Sequence, residues 1–406
     1  MKIMLVDRFI KYVKIDTQSD EESLAIPSTK KQLNLSRLLV EELHHLGVSN
    51  AELDDYGVVY AFIKAPNADE KTITIGLNAH VDTALETSGK DVKPQIIKNY
   101  AGNDITLNES LGIFLSPKEF PELLTLKGQD LIVTDGTTLL GADDKAGLAI
   151  IMEVVQAIMK NPDQLKVNLA LAFTPDEEIG RGVANFDIKR FDATYAYTID
   201  GGDINYANYE NFNAASAVVR IQGKAIHPGS ALGQMINAST VAMEFHALLD
   251  PLMVPEKTSG YEGFNHLNNI EGDVEQAELN YIIRNHDLAK LDQQKEQFIF
   301  AANTINKKYN KEIVKVEIID SYRNMADLIK KDPRSLNRME EAYKKLGLSL
   351  TYIPIRGGTD GAGLSYQGVL TPNLGTGGYN AHGKYEFVSI NQMEKMVEIV
   401  LTMLSI

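Results

Sequence analysis

The chain has 406 residues, 44% of them apolar, which is enough for a large core and about two domains. A formal charge of −15 argues against nucleic acid or an anionic membrane surface as partner, although a local basic pocket stays open. There are no cysteines, so disulfides are excluded and any metal must be held by imidazole and carboxylate.

The opening stretch MKIMLVDRFIKYVKID interrupts its apolar residues with charge and predicts an amphipathic helix rather than a signal peptide. No apolar run approaches the ~18 residues that span a bilayer, and a soluble, cytoplasmic protein is expected. A second helix is predicted over about 28–46, closed by Gly47, with His44 and His45 on a solvated face. Strands follow near 51–53 and 58–64. In TITIGLNAHVDT, residues 72–83, apolar and polar side chains alternate as in a pleated strand. His80 and Asp82, two apart at its end, share a face if the strand continues.

Residues 84–140 are irregular, with short strand-like pieces such as QDLIVTD, and a segment of that length is uncommon unless it serves a site. A helix then starts near Asp144 with Leu148, Ile151, Met152, Val155, Ile158 and Met159 on one side. Asp143 and Asp144 stand at its N-terminus, where carboxylates accept free backbone N–H groups. The strands KVNLALAFT and ATYAYTID come next, and the alternation of strand and helix predicts a doubly wound α/β sheet.

From about Asn213 the pattern changes to strand (214–222), helix (231–249), a hairpin around EGD (264–270 and 275–284), helix (288–309) and strand (313–320). That β-α-β-β-α-β order is the ferredoxin-like unit. After Ser321 helix–strand alternation resumes to a final helix from Asn391. The expected layout is a domain of residues 213–321 inserted into a discontinuous one made of 1–212 and 322–406.

Ligand-type residues recur where apolar strands end or loops break: His80 and Asp82, Asp143 and Asp144 in GADD, Asp176, Glu177 and Glu178 in AFTPDEEIG, Asp200 in YTIDGGD, and His382 in GGYNAHGKYE. Ligands of open α/β sheets bind at the carboxyl ends of strands, so these groups can converge. Massed carboxylates repel one another, no Lys or Arg is interleaved to neutralise them all, and metal ions would. Taken singly, each has a plainer reading: a core histidine, a helix cap, a solvated turn. Their co-occurrence is the argument.

These motifs resemble those of the peptidase T family of tripeptide aminopeptidases, within the superfamily of two-zinc exopeptidases and aminoacylases. The wider features are AHVDT, GADD, EE, IDGG and the late HG; the more particular ones are LSPKEFPELL, VTDGTTLLGADDKAG, AFTPDEEIG, YENFNAAS, PIRGGTDGAGLSYQG and GGYNAHGKYEFV, spread over the whole chain. The resemblance implies a zinc-exopeptidase-like catalytic domain with an inserted ferredoxin-like lid, two Zn²⁺ per subunit, and a homodimer formed through the insert. It implies that His80, Asp143 and Asp200 hold one zinc and Asp143, Glu178 and His382 the other. Asp82 would fix the His80 ring, and Glu177 would be the general base for a metal-activated water. A cis peptide is implied at Asp143–Asp144. His227 would stabilise the oxyanion and Arg284 hold a substrate carboxylate, with Arg356 and Asn380 lining the cleft. By local pattern, His227 before Pro228 also reads as a turn residue, Arg284 as a strand-edge charge and Asp360 as a helix cap. His246, His266 and His286 match no motif.

Three rival readings remain. One is a sister enzyme acting on dipeptides or N-acyl amino acids with the same metals. Another is a metal-requiring binding protein without catalysis. The third is a two-carboxylate glycosidase.

Overall fold

The alternating run at 72–83 becomes the strand Thr74–His80, buried along its whole length at the middle of an eight-stranded mixed sheet. The sheet runs Glu52–Leu53, Val59–Ile63, Asn168–Thr174, Thr74–His80, Tyr195–Gly201, Asn373–Gly375, Tyr206–Asn208, Thr351–Tyr352. The central strands are parallel, and Val59–Ile63 pairs antiparallel with Asn168–Thr174. This computed structural model describes residues 2–406, with side chains from residue 4 onward.

The helix Ala142–Lys160 was expected to bury one side. It is buried nearly all round, Lys145 and Glu153 included, because it packs on the sheet while helices Lys2–Val13 and Ile390–Leu404 cover it from outside. Residues 84–140 are not shapeless. They supply Gln95–Ile97 and Leu131–Val133 to a small antiparallel sheet completed by Phe387–Ser389 and Gly378–Tyr379, over an apolar cluster of their own that includes Leu115, Leu123 and Phe387. Phe387 pairs with Val133, so this sheet seats the chain that carries His382.

The chain divides into two compact units: residues up to Tyr209 with Met325–Ile353 and Thr359–Ile406, and Glu210–Asn324 with Pro354–Gly358. The second unit is a β-α-β-β-α-β fold with strand order Phe264–Gly272, Gln276–Asn285, Asn213–Gln222, Val314–Tyr322, antiparallel throughout. Its core joins Val219, Leu279 and Tyr281 to Phe245 and Phe298 on its two helices. The segment Pro354–Gly358 belongs here because Ile355 N donates to Glu210 O and Phe212 N to Gly357 O. Arg356 therefore stands in the second unit and outside the expected 213–321 range. The first helix of this unit is Ala238–Ala247, shorter than the expected 231–249. Asn237 caps it by accepting from Thr240 N, Gly233 ahead of it has φ +67°, and Leu232 is fully exposed with no core to hold it.

Among the described residues no helix is long and apolar enough to cross a membrane. In the first unit Gly147 lies where helix Ala142–Lys160 meets the sheet, and a Cβ there would run into Ile199 O and the Asp144 carboxylate. Gly147→Ala is expected to lower the unfolding free energy by about 1–3 kcal/mol, read as an earlier denaturant midpoint.

Candidate metal centre

Strand pairing sets three carboxyl ends side by side. Thr74–His80 runs parallel between Asn168–Thr174 and Tyr195–Gly201, with His80 opposite Thr174. His80 is therefore delivered next to the turn Glu177–Ile179 and next to Asp200. His80 Nε2 lies 2.9 Å from Asp143 Oδ1 and 3.7 Å from Asp200 Oδ1. On the other side of Asp143, His382 Nε2 lies 3.5 Å from Asp143 Oδ2 and 2.9 Å from Glu178 Oε2. One carboxylate thus stands between two imidazoles.

Ligand-type atoms fall within 4.8 Å of one another in two overlapping groups: His80, Asp144 and Asp200, and His80, Asp143 and Glu178. Asp144 enters the first through position, although its oxygens also accept from His80 N and Gly147 N. The second of these is the capping bond expected at this helix start; Asp143 makes none and faces the imidazoles. The Asp143–Asp144 peptide is cis.

Asp82 is fully buried, with Oδ1 3.3 Å from His80 Nδ1. Its two oxygens also accept from Glu177 N and Glu178 N, at 3.0 and 3.2 Å. A single carboxylate therefore stands beside the His80 ring and accepts from the backbone of the acidic turn. Asp176 anchors that turn from behind: it is buried, with φ +59°, and accepts from Ser28 N, Ser28 Oγ and Gln32 Nε2 at 2.5–2.7 Å.

The electrostatics follow from crowding. Burial and the neighbouring Asp143 push Asp200 up to about 7 and Glu178 up to about 8. Burial, Asp200 and Asp360 likewise raise Glu177. Asp143 goes the other way: burial opposes its ionisation, but His382 and His80 hold it well below the usual carboxylate range. Asp143 and Glu178 push His382 up to about 12. Burial would lower His80, yet Asp143, Asp200 and Asp82 keep it well above its ordinary value. The nearest lysine does not relieve the crowding, for the buried Lys145 ammonium donates to Ile15 O at 2.7 Å. Glu178 Oε1 is buried with no hydrogen-bond partner. Oxygen and imidazole donors, one shared carboxylate and an unpartnered carboxylate oxygen together fit a pair of divalent cations.

Two groups escaped the sequence reading. Glu86 Oε1 lies 3.3 Å from His382 Nδ1, from a loop whose local pattern carries no signal. Glu386, four residues after His382, accepts from three backbone amides beside Asp143. Asp360 was expected to cap its helix. Thr359 does so by accepting from Gly361 N, and Asp360 instead accepts from Thr174 Oγ1 at 2.6 Å. Asn380, with φ +56°, donates to Tyr385 O and shapes the His382 loop.

The other expected residues lie in the second unit. His227 is exposed and accepts from Gly229 N, capping the short turn Pro228–Ser230. Arg284 donates to Ala215 O and Ile283 O and lies over the Tyr322 ring. Arg356 donates to Gly260 O, Glu262 O and Thr258 Oγ1 and covers Phe212 and Phe264. His286 is buried against Phe212, and His246 meets the Tyr281 hydroxyl.

The model of peptidase family M20/M25/M40 matches residues 135–405, and the chain belongs to that family. Within it, the chain is 50% identical over 397 residues to Peptidase T of Caldanaerobacter subterraneus subsp. tengcongensis, covering 98% of this chain and 97% of the relative. It is 49% identical over 401 residues to Peptidase T of Bacillus velezensis, covering 99% and 98%. The fold is similar to the crystal structure of aminopeptidase PepT from Bacillus cereus, with a TM-score of 0.77 at 22% identity over 100% of this chain and 98% of that one.

Removing the Asp176 carboxylate would leave several buried donors unpaired. Asp176→Ala is expected to cost at least about 1.5–3 kcal/mol of stability and to speed amide exchange across 177–180, both measurable by exchange mass spectrometry under denaturant.

Proposed function

We propose that the protein removes the N-terminal residue of tripeptides by hydrolysis, with two zinc ions held by His80, Asp143 and Asp200 and by Asp143, Glu178 and His382. It is a metallo-aminopeptidase of its family. The observation that carries the site assignment is Asp143 standing between His80 and His382, at 2.9 and 3.5 Å. When bound, such ions polarise a carbonyl oxygen and lower the pKa of a water from 15.7 toward ~7.

The residues of the chain do the rest. Asp82 holds the His80 ring and the amides of Glu177 and Glu178, so a ligand and a base are aimed by one group. Glu177 and Glu178 are neighbours, one serving as ligand and the other as base. Glu177 takes the proton of the attacking water as the oxygen–carbon bond forms, then gives it to the amine as the carbon–nitrogen bond breaks. Burial raises Glu177, which suits a group that must both accept and return a proton. His227 is assigned to the developing oxyanion. Arg284 is assigned to the C-terminal carboxylate of the tripeptide, since a guanidinium fork matches a carboxylate. Asn380 and Arg356 are assigned to the lining of the cleft. A homodimer would form through the second unit, whose sheet ends in the exposed edge strands Phe264–Gly272 and Val314–Tyr322.

Glu177→Gln is expected to keep both metals by elemental analysis and to lose about 10²–10⁴-fold in kcat, whereas Glu178→Ala loses metal. A fully active Glu177→Gln enzyme would remove the base assignment. Release of the first residue should be fastest from tripeptides when tri-, di- and tetrapeptides and N-acyl amino acids are compared. Dialysis against a chelator should abolish it, and Zn²⁺ should restore it.

A further inference from the structure

Glu386 is 1% exposed, and its carboxylate serves no ligand position. Oε2 accepts from Leu140 N at 2.7 Å and Gly141 N at 2.6 Å, while Oε1 accepts from Asp143 N at 3.0 Å. These amides lead into helix Ala142–Lys160, where Gly141 has φ +81° and no side chain to cap with, while Asp144 caps the first regular turn by accepting from Gly147 N. The amides ahead of that turn are met by a residue 243 positions away. Glu386 N donates to Gly383 O, closing the turn after His382, and the next residue, Phe387, pairs with Val133.

We infer that Glu386 is a positioning residue, which grips the backbone on both sides of Ala142 and so holds the Asp143 carboxylate between His80 and His382. The inference rests on reading Asp143 and His382 as metal ligands. A helix cap meant only for stability would need one acceptor at N2 or N3. Glu386 spans three amides with both oxygens and ties the loop of one ligand to the loop of another. The distance between Asp143 and His382 is thereby set by a rigid protein link before any cation arrives. A neutral amide cannot replace it, because Gln offers one acceptor oxygen and would point its NH₂ at amides that themselves donate.

The test uses the full chain and Glu386→Gln. Zinc binding is titrated by calorimetry after chelation, kinetics are measured on a tripeptide, and amide exchange over 139–144 is followed in the metal-free protein. Expected are zinc affinity weakened about 10–100-fold, a lower kcat with KM little changed, faster exchange of those amides, and partial rescue of activity by excess Zn²⁺. Wild-type affinity and kcat in Glu386→Gln, with only the melting temperature lowered, would overturn the inference and leave Glu386 a structural cap. Should that variant not fold, Glu386→Asp is measured the same way: it keeps the charge, withdraws it by one methylene, and is expected to fall between the two. A wild-type chain that fails to bind two ions refutes the ligand assignment instead, and the exchange measurement still decides whether Glu386 holds the loop.

Discussion

Like charges confined in a buried space are the constraint on which this molecule depends. Asp143, Asp144, Glu177, Glu178 and Asp200 share one crevice with Asp82, and the buried lysine in their midst turns its ammonium to Ile15 O. Carboxylates crowded this way repel one another and resist ionisation; Asp200 and Glu178 are both pushed up, by burial first and by Asp143 next. Two kinds of positive partner are supplied. His80 and His382 face the acids that meet in the centre. The acids that surround it are met by fixed backbone amides: Asp82 by those of Glu177 and Glu178, Asp144 by those of His80 and Gly147, Glu386 by three near Asp143. Amide dipoles held by secondary structure do not swing away as a lysine side chain can, so the framework around the site is neutralised without mobile cations.

The fold serves that arrangement from two directions. The large sheet aligns the ends of three neighbouring strands, which brings His80, the acidic turn and Asp200 together by register alone. His382 arrives separately, on a loop with positive φ seated by the small sheet that residues 84–140 build with Phe387–Ser389. The long irregular segment 84–140 is the bed for one ligand and, through Glu86, a neighbour of its ring. The second unit has its own antiparallel sheet and its own core, and its Arg284 and Arg356 are already engaged with backbone carbonyls and aromatic faces inside it. A group held this firmly presents a defined surface to a ligand and loses little freedom on binding.

Local pattern determined a great deal. The strand ending at His80, the helix after GADD, the β-α-β-β-α-β order and the helix Leu288–Tyr309 follow from periodicity and capping residues, which act within one turn or one strand. The ligand-type residues were visible because strand ends are where an α/β sheet places chemistry. Family resemblance then sorted them into roles that spacing alone left open.

Tertiary structure decided what no window of sequence contains. Strands of two or three residues, such as Gly378–Tyr379 and Gln95–Ile97, are too short for periodicity and exist because a partner strand is there. Asp360 reads as a cap, and only the approach of Thr174, 186 residues away, takes its carboxylate elsewhere. Arg356 falls in a stretch that reads as part of the resumed sheet, yet pairing with residues 210–212 draws it into the second unit. Glu386 and Glu86 drew no role from the sequence, because their partners come from distant loops. Sequence pattern reports what a residue does to its neighbours along the chain; what a side chain touches across the core is settled when the sheets close and bring those loops into range.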